Sequence, residues 1–128
     1  MKNERDFQTK FRDWLAYNWH GGTAAFELKF IKDKNAIPFS NVKLHQIRGL
    51  KLAQKRLIWK ISDMSIEQKP FDCFILVKAF AFVVICWNDG SGYFYIINVD
   101  DFEKEKETSL RKSLSIERAS EIGIKYKL

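Results

Sequence analysis

The sequence predicts an α/β domain in which a mixed central β-sheet is flanked by helices. Three observations lead there. A helical pattern at the amino end is followed by an apolar strand and then by a second helical pattern. Four apolar, strand-like runs come next, separated by polar or turn-forming stretches. A short helix closes the chain, and 128 residues suffice for one layered core.

Each element has its own signal. Residues 3–19 read as a helix because Phe7, Phe11, Trp14 and Leu15 recur at helical spacing with charges between them, and "HGG" ends it. In "TAAFELKF", within a strand over 24–31, alternation puts Phe26, Leu28 and Phe30 on one face and Glu27 and Lys29 on the other. "KDKNAIP" is a polar loop closed by Pro38. Ser40 or Asn41 caps a second helix running to about residue 55, with Leu44, Ile47 and Leu50 as its apolar stripe and Lys43, Arg48, Lys51 and Lys55 on its other faces. The four strands are "RLIWKIS", "FDCFILV", "AFVVICW" and "YFYIINV", separated by "DMSIEQKP", the short "KAF" and the turn "NDGSG". "DDFEKEKE" reads as a charged, mobile stretch, and "SLSIERASEIG" as a short helix with Ser115 as cap and Gly123 as stop.

Composition narrows the function. At 46% apolar and 15% aromatic residues the chain has ample core material, which excludes disorder throughout. A net charge of +6 and a pI near 9.3 favour a polyanionic partner, nucleic acid first. "MKNERDFQTK" is charged from the second residue and lacks the apolar segment of a secretory signal. "FILVKAFAFVVICW" is only 14 residues long and is interrupted by Lys78, too short to span a membrane. A soluble, cytoplasmic protein with no membrane partner is the expectation. Cys73 and Cys86 lie in apolar runs without C-x-x-C spacing, so they read as buried reduced thiols and not as a zinc or redox site. His20 and His45 have no partners for nucleophilic catalysis.

Taken alone, Glu27-x-Lys29 is most simply an ion pair on the solvated face of an edge strand. Its surroundings change that. "AFELKF", then "IPFSNVKLHQIRGL" opening a helix, then the strand "AFVVICW" and the final strand "YFYIINVDDF" together resemble the core of the PD-(D/E)xK nuclease superfamily, in particular its Holliday junction resolvase and recombination-nuclease branch. The resemblance covers roughly residues 24–102, with the leading helix on the expected side. It implies a restriction-endonuclease-like core and a Mg²⁺-dependent phosphodiester hydrolase, with Mn²⁺ as a substitute. Glu27 would bind the metal, the Leu28 backbone carbonyl would add a ligand, and Lys29 would orient the attacking water or stabilise the transition state. Gln46 would hold phosphate or water, and Glu4 on the first helix would complete the metal site. His45, beside Gln46, is either part of the DNA-facing set or a partly buried helix residue.

One departure from the family stands out. Its metal-binding Asp belongs to the strand before E-x-K, but here only Glu4, Asp6 and Asp13 precede that strand, all in the first helix. Downstream, the additional segment "LIWKISDMSIEQKPFDCFILV" contains "KPFDCF", close to the family's Pro-Asp context. The expectation is therefore a displaced or permuted hairpin that brings Asp72 to the metal from the vacated place in the sheet. Asp63 in "ISDMS" is the rival, and Asp72 also reads as a turn-exit carboxylate paired with Lys69. Lys43, Arg48, Lys51, Lys55 and Arg56 sit around the helix that follows the E-x-K strand, where they would track a phosphate backbone or simply solvate a surface. The resemblance implies branched or four-way-junction DNA as substrate and a C₂ homodimer, because a junction requires two symmetric cuts. The reading from another class is a non-catalytic DNA-binding module that retains the fold.

Overall fold

Asn3 starts the first helix: its side-chain oxygen accepts from the Asp6 backbone N–H at 2.9 Å, and Glu4 and Asp6 complement the helix dipole. This helix, α1, runs Glu4–Asn18. The computed structural model describes residues 1–32, 35–55, 57–61, 68, 73–76 and 79–128. After α1 come β1 (Ala24–Lys32), β2 (Ala36–Pro38), a single 3₁₀ turn (Phe39–Asn41), α2 (Leu44–Ala53), β3 (Leu57–Lys60) and β4 (Cys73–Leu76). β5 (Phe80–Asn88), β6 (Tyr93–Asn98), α3 (Val99–Thr108), β7 (Ser113–Ser115), α4 (Ile116–Ile122) and β8 (Ile124–Lys127) complete the chain.

The central sheet has the order β1-β5-β6-β8. β1 and β5 are parallel, whereas β6 is antiparallel to β5, and β8 to β6. Parallel neighbours need a crossover, and α2 lies within the one that joins β1 to β5. β2 pairs with β7, and β3 with β4, as separate antiparallel two-stranded sheets.

Helices cover both faces of the sheet, which is why "AFVVICW" reads as a nearly continuous apolar run. On one face Phe7 and Phe11 of α1 pack with Val84, Cys86, Phe94 and Ile96. Aromatic edges hold this contact: the Phe11 ring meets Phe26 and Phe94 edge-on at 5.3 and 5.5 Å. On the other face Ile47 and Leu50 of α2, Phe102 of α3 and Ala119 of α4 close over Val83, Ile85 and Ile97. Burying each large apolar side chain contributes about 1.5–3 kcal/mol, so both layers are needed to hold β5 in the middle.

Several expectations are met. α1, β1, β5 and β6 lie where periodicity puts them, and the "NDGSG" hairpin turns through Gly90 and Gly92 at φ +82° and +75°, a region that favours glycine. Ser115 caps α4 by accepting from the Arg118 N–H at 3.1 Å, and α4 ends at Gly123. Cys86 is buried, and burial pushes its thiol up to about 11.

Other expectations are corrected. Neither Ser40 nor Asn41 caps α2: they belong to the 3₁₀ turn, and α2 begins at Leu44 with Lys43 as its N-cap residue. Phe39 and Val42 are buried on either side, so core packing takes this segment into the interior before the helix can start. "DDFEKEKE" is not a mobile stretch but lies in α3. Asn98 caps that helix by accepting from the Asp100 N–H at 2.9 Å, Asp100 and Asp101 fill its first turn, and Val99 and Phe102 anchor it in the core. β2, β7 and β8 were not expected at all. Among the described residues, no helix is long and apolar enough to cross a membrane.

Gly123 is constrained by close approach. A Cβ at this position would lie 2.7 Å from Ile97 Cγ1 and 2.8 Å from the Ile96 backbone oxygen. A backbone oxygen cannot rotate away, so Gly123→Ala should destabilise the fold by about 1–3 kcal/mol. The expected readout is a lower urea midpoint with unchanged m-value; a wild-type midpoint would mean that the α4–β8 junction opens without cost.

Candidate functional site

β1 is an edge strand, and no described strand pairs with its outer side. On the inner side, Glu27 and Lys29 stand opposite Val83 and Ile85 of β5, which are fully buried beneath the α2 layer. The same face that must be apolar in the middle of the sheet can carry charge at its edge, where side chains reach past α2 toward water. Glu27 and Lys29 are accordingly only partly covered, at 28% and 16% side-chain exposure, with Lys29 Nζ 3.4 Å from Glu27 Oε1.

Gln46 fixes the carboxylate from the facing helix. Its Oε1 accepts from the Lys43 backbone N–H at 2.8 Å, satisfying an otherwise open donor at the start of α2. Its Nε2 donates to Glu27 Oε1, also at 2.8 Å. One amide thus ties the helix start to the edge strand, and the pair of bonds sets which end of the amide faces Glu27. Both partners of the carboxylate meet Oε1. Among the described residues, Oε2 has no hydrogen-bond partner.

The backbone adds a second oxygen. Phe80 N–H donates to the Thr23 carbonyl at 3.0 Å, and the β1–β5 register runs unbroken from Ala24 opposite Phe80 to Lys32 opposite Asn88. Carbonyls alternate along a strand, so those of Ala25, Glu27 and Lys29 turn toward β5 and that of Leu28 turns toward the open edge. Glu27, Leu28, Lys29 and Gln46 line a cleft of about 380 Å³ along this edge. Its far wall is α1, which contributes Glu4, Gln8 and Arg12.

The expected residues therefore divide into groups. Glu27, Leu28, Lys29, Gln46 and Glu4 come together around one cleft, although they are drawn from β1, α2 and the first turn of α1. Lys43, His45, Arg48 and Lys55 are exposed on or next to α2. Lys51 is engaged elsewhere: its Nζ lies 2.6 Å from Glu103 and 3.7 Å from Asp100, and the hydrogen bond to Glu103 raises its pKa. It clamps α2 to α3. Asp72, Asp63, Lys69 and Arg56 lie outside the described residues. The expectation that a displaced hairpin fills the vacated place in the sheet is corrected: β3 and β4, which lie between α2 and β5 in the chain, pair with each other in a separate two-stranded sheet and neither adds to the central one.

Gln8 and Arg12 were missed, although a signal existed. They follow Glu4 at intervals of four residues and so share its side of α1, beside the apolar stripe of Phe7 and Phe11.

The oxygens at the open edge are hard donors, the type that Mg²⁺ and Mn²⁺ take, and Mg²⁺ is commonly held by one or two carboxylates with water and substrate phosphate supplying the rest. Glu27 Oε2 and the Leu28 carbonyl fit that chemistry as a partial anchor. Among the described residues, no three His, Cys, Asp or Glu side chains cluster closely enough to hold a metal ion. Among the described residues, Glu4 is the one further acid that lines the cleft with Glu27. No protein-family model matches the chain, and no curated protein matches it significantly.

Proposed function

We propose that this protein is a Mg²⁺-dependent DNA endonuclease with a restriction-endonuclease-like core, similar to Holliday junction resolvases and active on branched DNA as a C₂ homodimer. The observation that carries the reading is the edge of β1, where a carboxylate held by Gln46, an ammonium and an outward carbonyl share one cleft. Glu27 and the Leu28 carbonyl would hold the metal, with Mn²⁺ able to replace Mg²⁺. When bound, the cation supplies charge neutralisation at the scissile phosphate. In the overall reaction water adds to phosphorus and one P–O ester bond breaks, giving a phosphate monoester and a hydroxyl. Lys29 donates from its ammonium to the attacking water or to a phosphate oxygen, where charge develops. Gln46 keeps Glu27 from rotating, and its anchorage on the α2 backbone means that the carboxylate is ordered before substrate arrives.

The test is cleavage of end-labelled four-way junction, duplex and single-stranded DNA, each with Mg²⁺, Mn²⁺ or chelator. The expected result is junction cleavage with either cation and none with chelator. Binding to DNA with no cleavage under either cation would overturn the nuclease reading in favour of a DNA-binding module.

A further inference from the structure

We infer that α1 is a substrate-binding wall of the cleft, with Arg12 gripping a backbone phosphate of the nucleic acid and Gln8 supporting it. This rests on the cleft being the place where a phosphodiester is cut. Two facts about Arg12 carry it. The first is position: Arg12 lines the same concavity as Glu27, Lys29 and Gln46, approaching from the opposite side, so a strand lying over Glu27 would have α1 along its flank. The second is charge. The ionised side chains lining this cleft are Glu4, Glu27, Lys29 and Arg12, and they balance; without Arg12 the cleft would carry a net negative charge and repel phosphate.

The side chain is free to take that role. Arg12 Nε and Nη2 rest on Asp13 Oδ1 at 3.3 and 3.2 Å, but its side chain is 75% exposed and its partner is the next residue on the same helix. An exposed pair of that kind contributes little, so exchanging it for a phosphate costs little. A guanidinium presents parallel N–H donors that match two phosphate oxygens, which an ammonium does not. Gln8, one turn before Arg12, lines the same wall and offers a neutral donor there.

Affinity for fluorescein-labelled duplex and four-way junction in chelator, measured by anisotropy across a salt series, tests this without any cleavage. Arg12→Gln should weaken binding about tenfold and lower the magnitude of the salt slope by about one. Arg12→Lys should keep the slope and recover part of the affinity, and Gln8→Ala should weaken binding by a smaller factor with the slope unchanged. A purely structural role would instead lower the urea midpoint of Arg12→Gln. Wild-type affinity and slope in Arg12→Gln overturn the inference, even if Glu27→Gln still abolishes cleavage. If the wild-type protein cuts no DNA, the nuclease reading fails by itself, and the Arg12 slope still decides whether α1 binds phosphate.

Discussion

Glu27→Gln should lower metal-dependent cleavage by at least about 10²–10³-fold, the loss expected when a single preorganised charge-stabilising group is removed. The substitution is nearly isosteric. Its amide oxygen still accepts from Gln46 Nε2, so the link between β1 and α2 survives, while the negative charge that draws a cation is gone. Lys29→Ala should fall as far for a different reason: metal affinity persists, but the ammonium beside Glu27 Oε1 no longer serves water or phosphate. Gln46→Ala should cost less in rate, about 10–100-fold, and should also destabilise the protein slightly, because the Lys43 N–H loses its acceptor. Single-turnover rates at saturating junction separate these variants from folding defects when unfolding midpoints are measured beside them. A wild-type rate in Glu27→Gln or Lys29→Ala would remove the E-x-K strand from the chemistry.

The parts of this fold that were legible in the sequence are those whose pattern is set by burial on a long element. β5 shows itself as an uninterrupted apolar run because helices cover it on both sides, and α1 shows itself through Phe7 and Phe11 one turn apart. Elements held by caps and pairing are harder to read. α3 carries only Val99 and Phe102 as buried residues in a run of charge, so its helical period is too sparse to see, and its stability depends on Asn98 and the first-turn carboxylates. β2 and β7 are three residues each and exist only as each other's partners, a relation between segments about 75 residues apart.

The candidate site follows the same rule. Glu27 and Lys29 are two residues apart on one strand, so local alternation alone assigns them a common face. Gln46 was reachable only through the family resemblance. Nothing local in "KLHQIR" says that its amide closes the start of α2 and meets Glu27 19 residues upstream. The i, i+4 spacing of Glu4, Gln8 and Arg12 puts them on one side of α1, but the helix's own sequence does not specify how α1 lies against the edge of β1, which is what brings Arg12 to the cleft. Lys51 is the opposite case: the sequence assigns it to a phosphate track, but α3 supplies two carboxylates that hold it. Of the residues assigned to that track, Lys43, His45, Arg48 and Lys55 remain exposed on or next to α2.

Asp72→Asn should abolish metal-dependent cleavage as completely as Glu27→Gln, and Asp63→Asn should do much less. One carboxylate and one carbonyl at the edge of β1 are a weak anchor for a divalent cation at neutral pH. The nuclease superfamily that the sequence resembles carries a metal-binding Asp on the strand before E-x-K, where this chain has no strand, and among the described residues only Glu4 lines the same cleft as a further acid. Asp72 immediately precedes Cys73, the first residue of β4, so a displaced Asp would have to reach the cation from a sheet separate from that of β1. Asp72 is 45 residues downstream of Glu27 in the chain, and for both to bind one cation at roughly 2.0–2.6 Å their oxygens must come within about 4 Å. If they do, Asp72→Asn removes a metal ligand and also a negative charge that faces phosphate, so junction affinity in chelator should hold or rise while cleavage is lost. Calorimetric titration with Mn²⁺ adds a readout independent of turnover: binding should weaken in Glu27→Gln and Asp72→Asn to a similar degree and stay near wild type in Asp63→Asn. Full cleavage by Asp72→Asn would reject the displaced-carboxylate idea, and the loss of Mn²⁺ binding in Asp63→Asn or Glu4→Gln would then identify which acid completes the site.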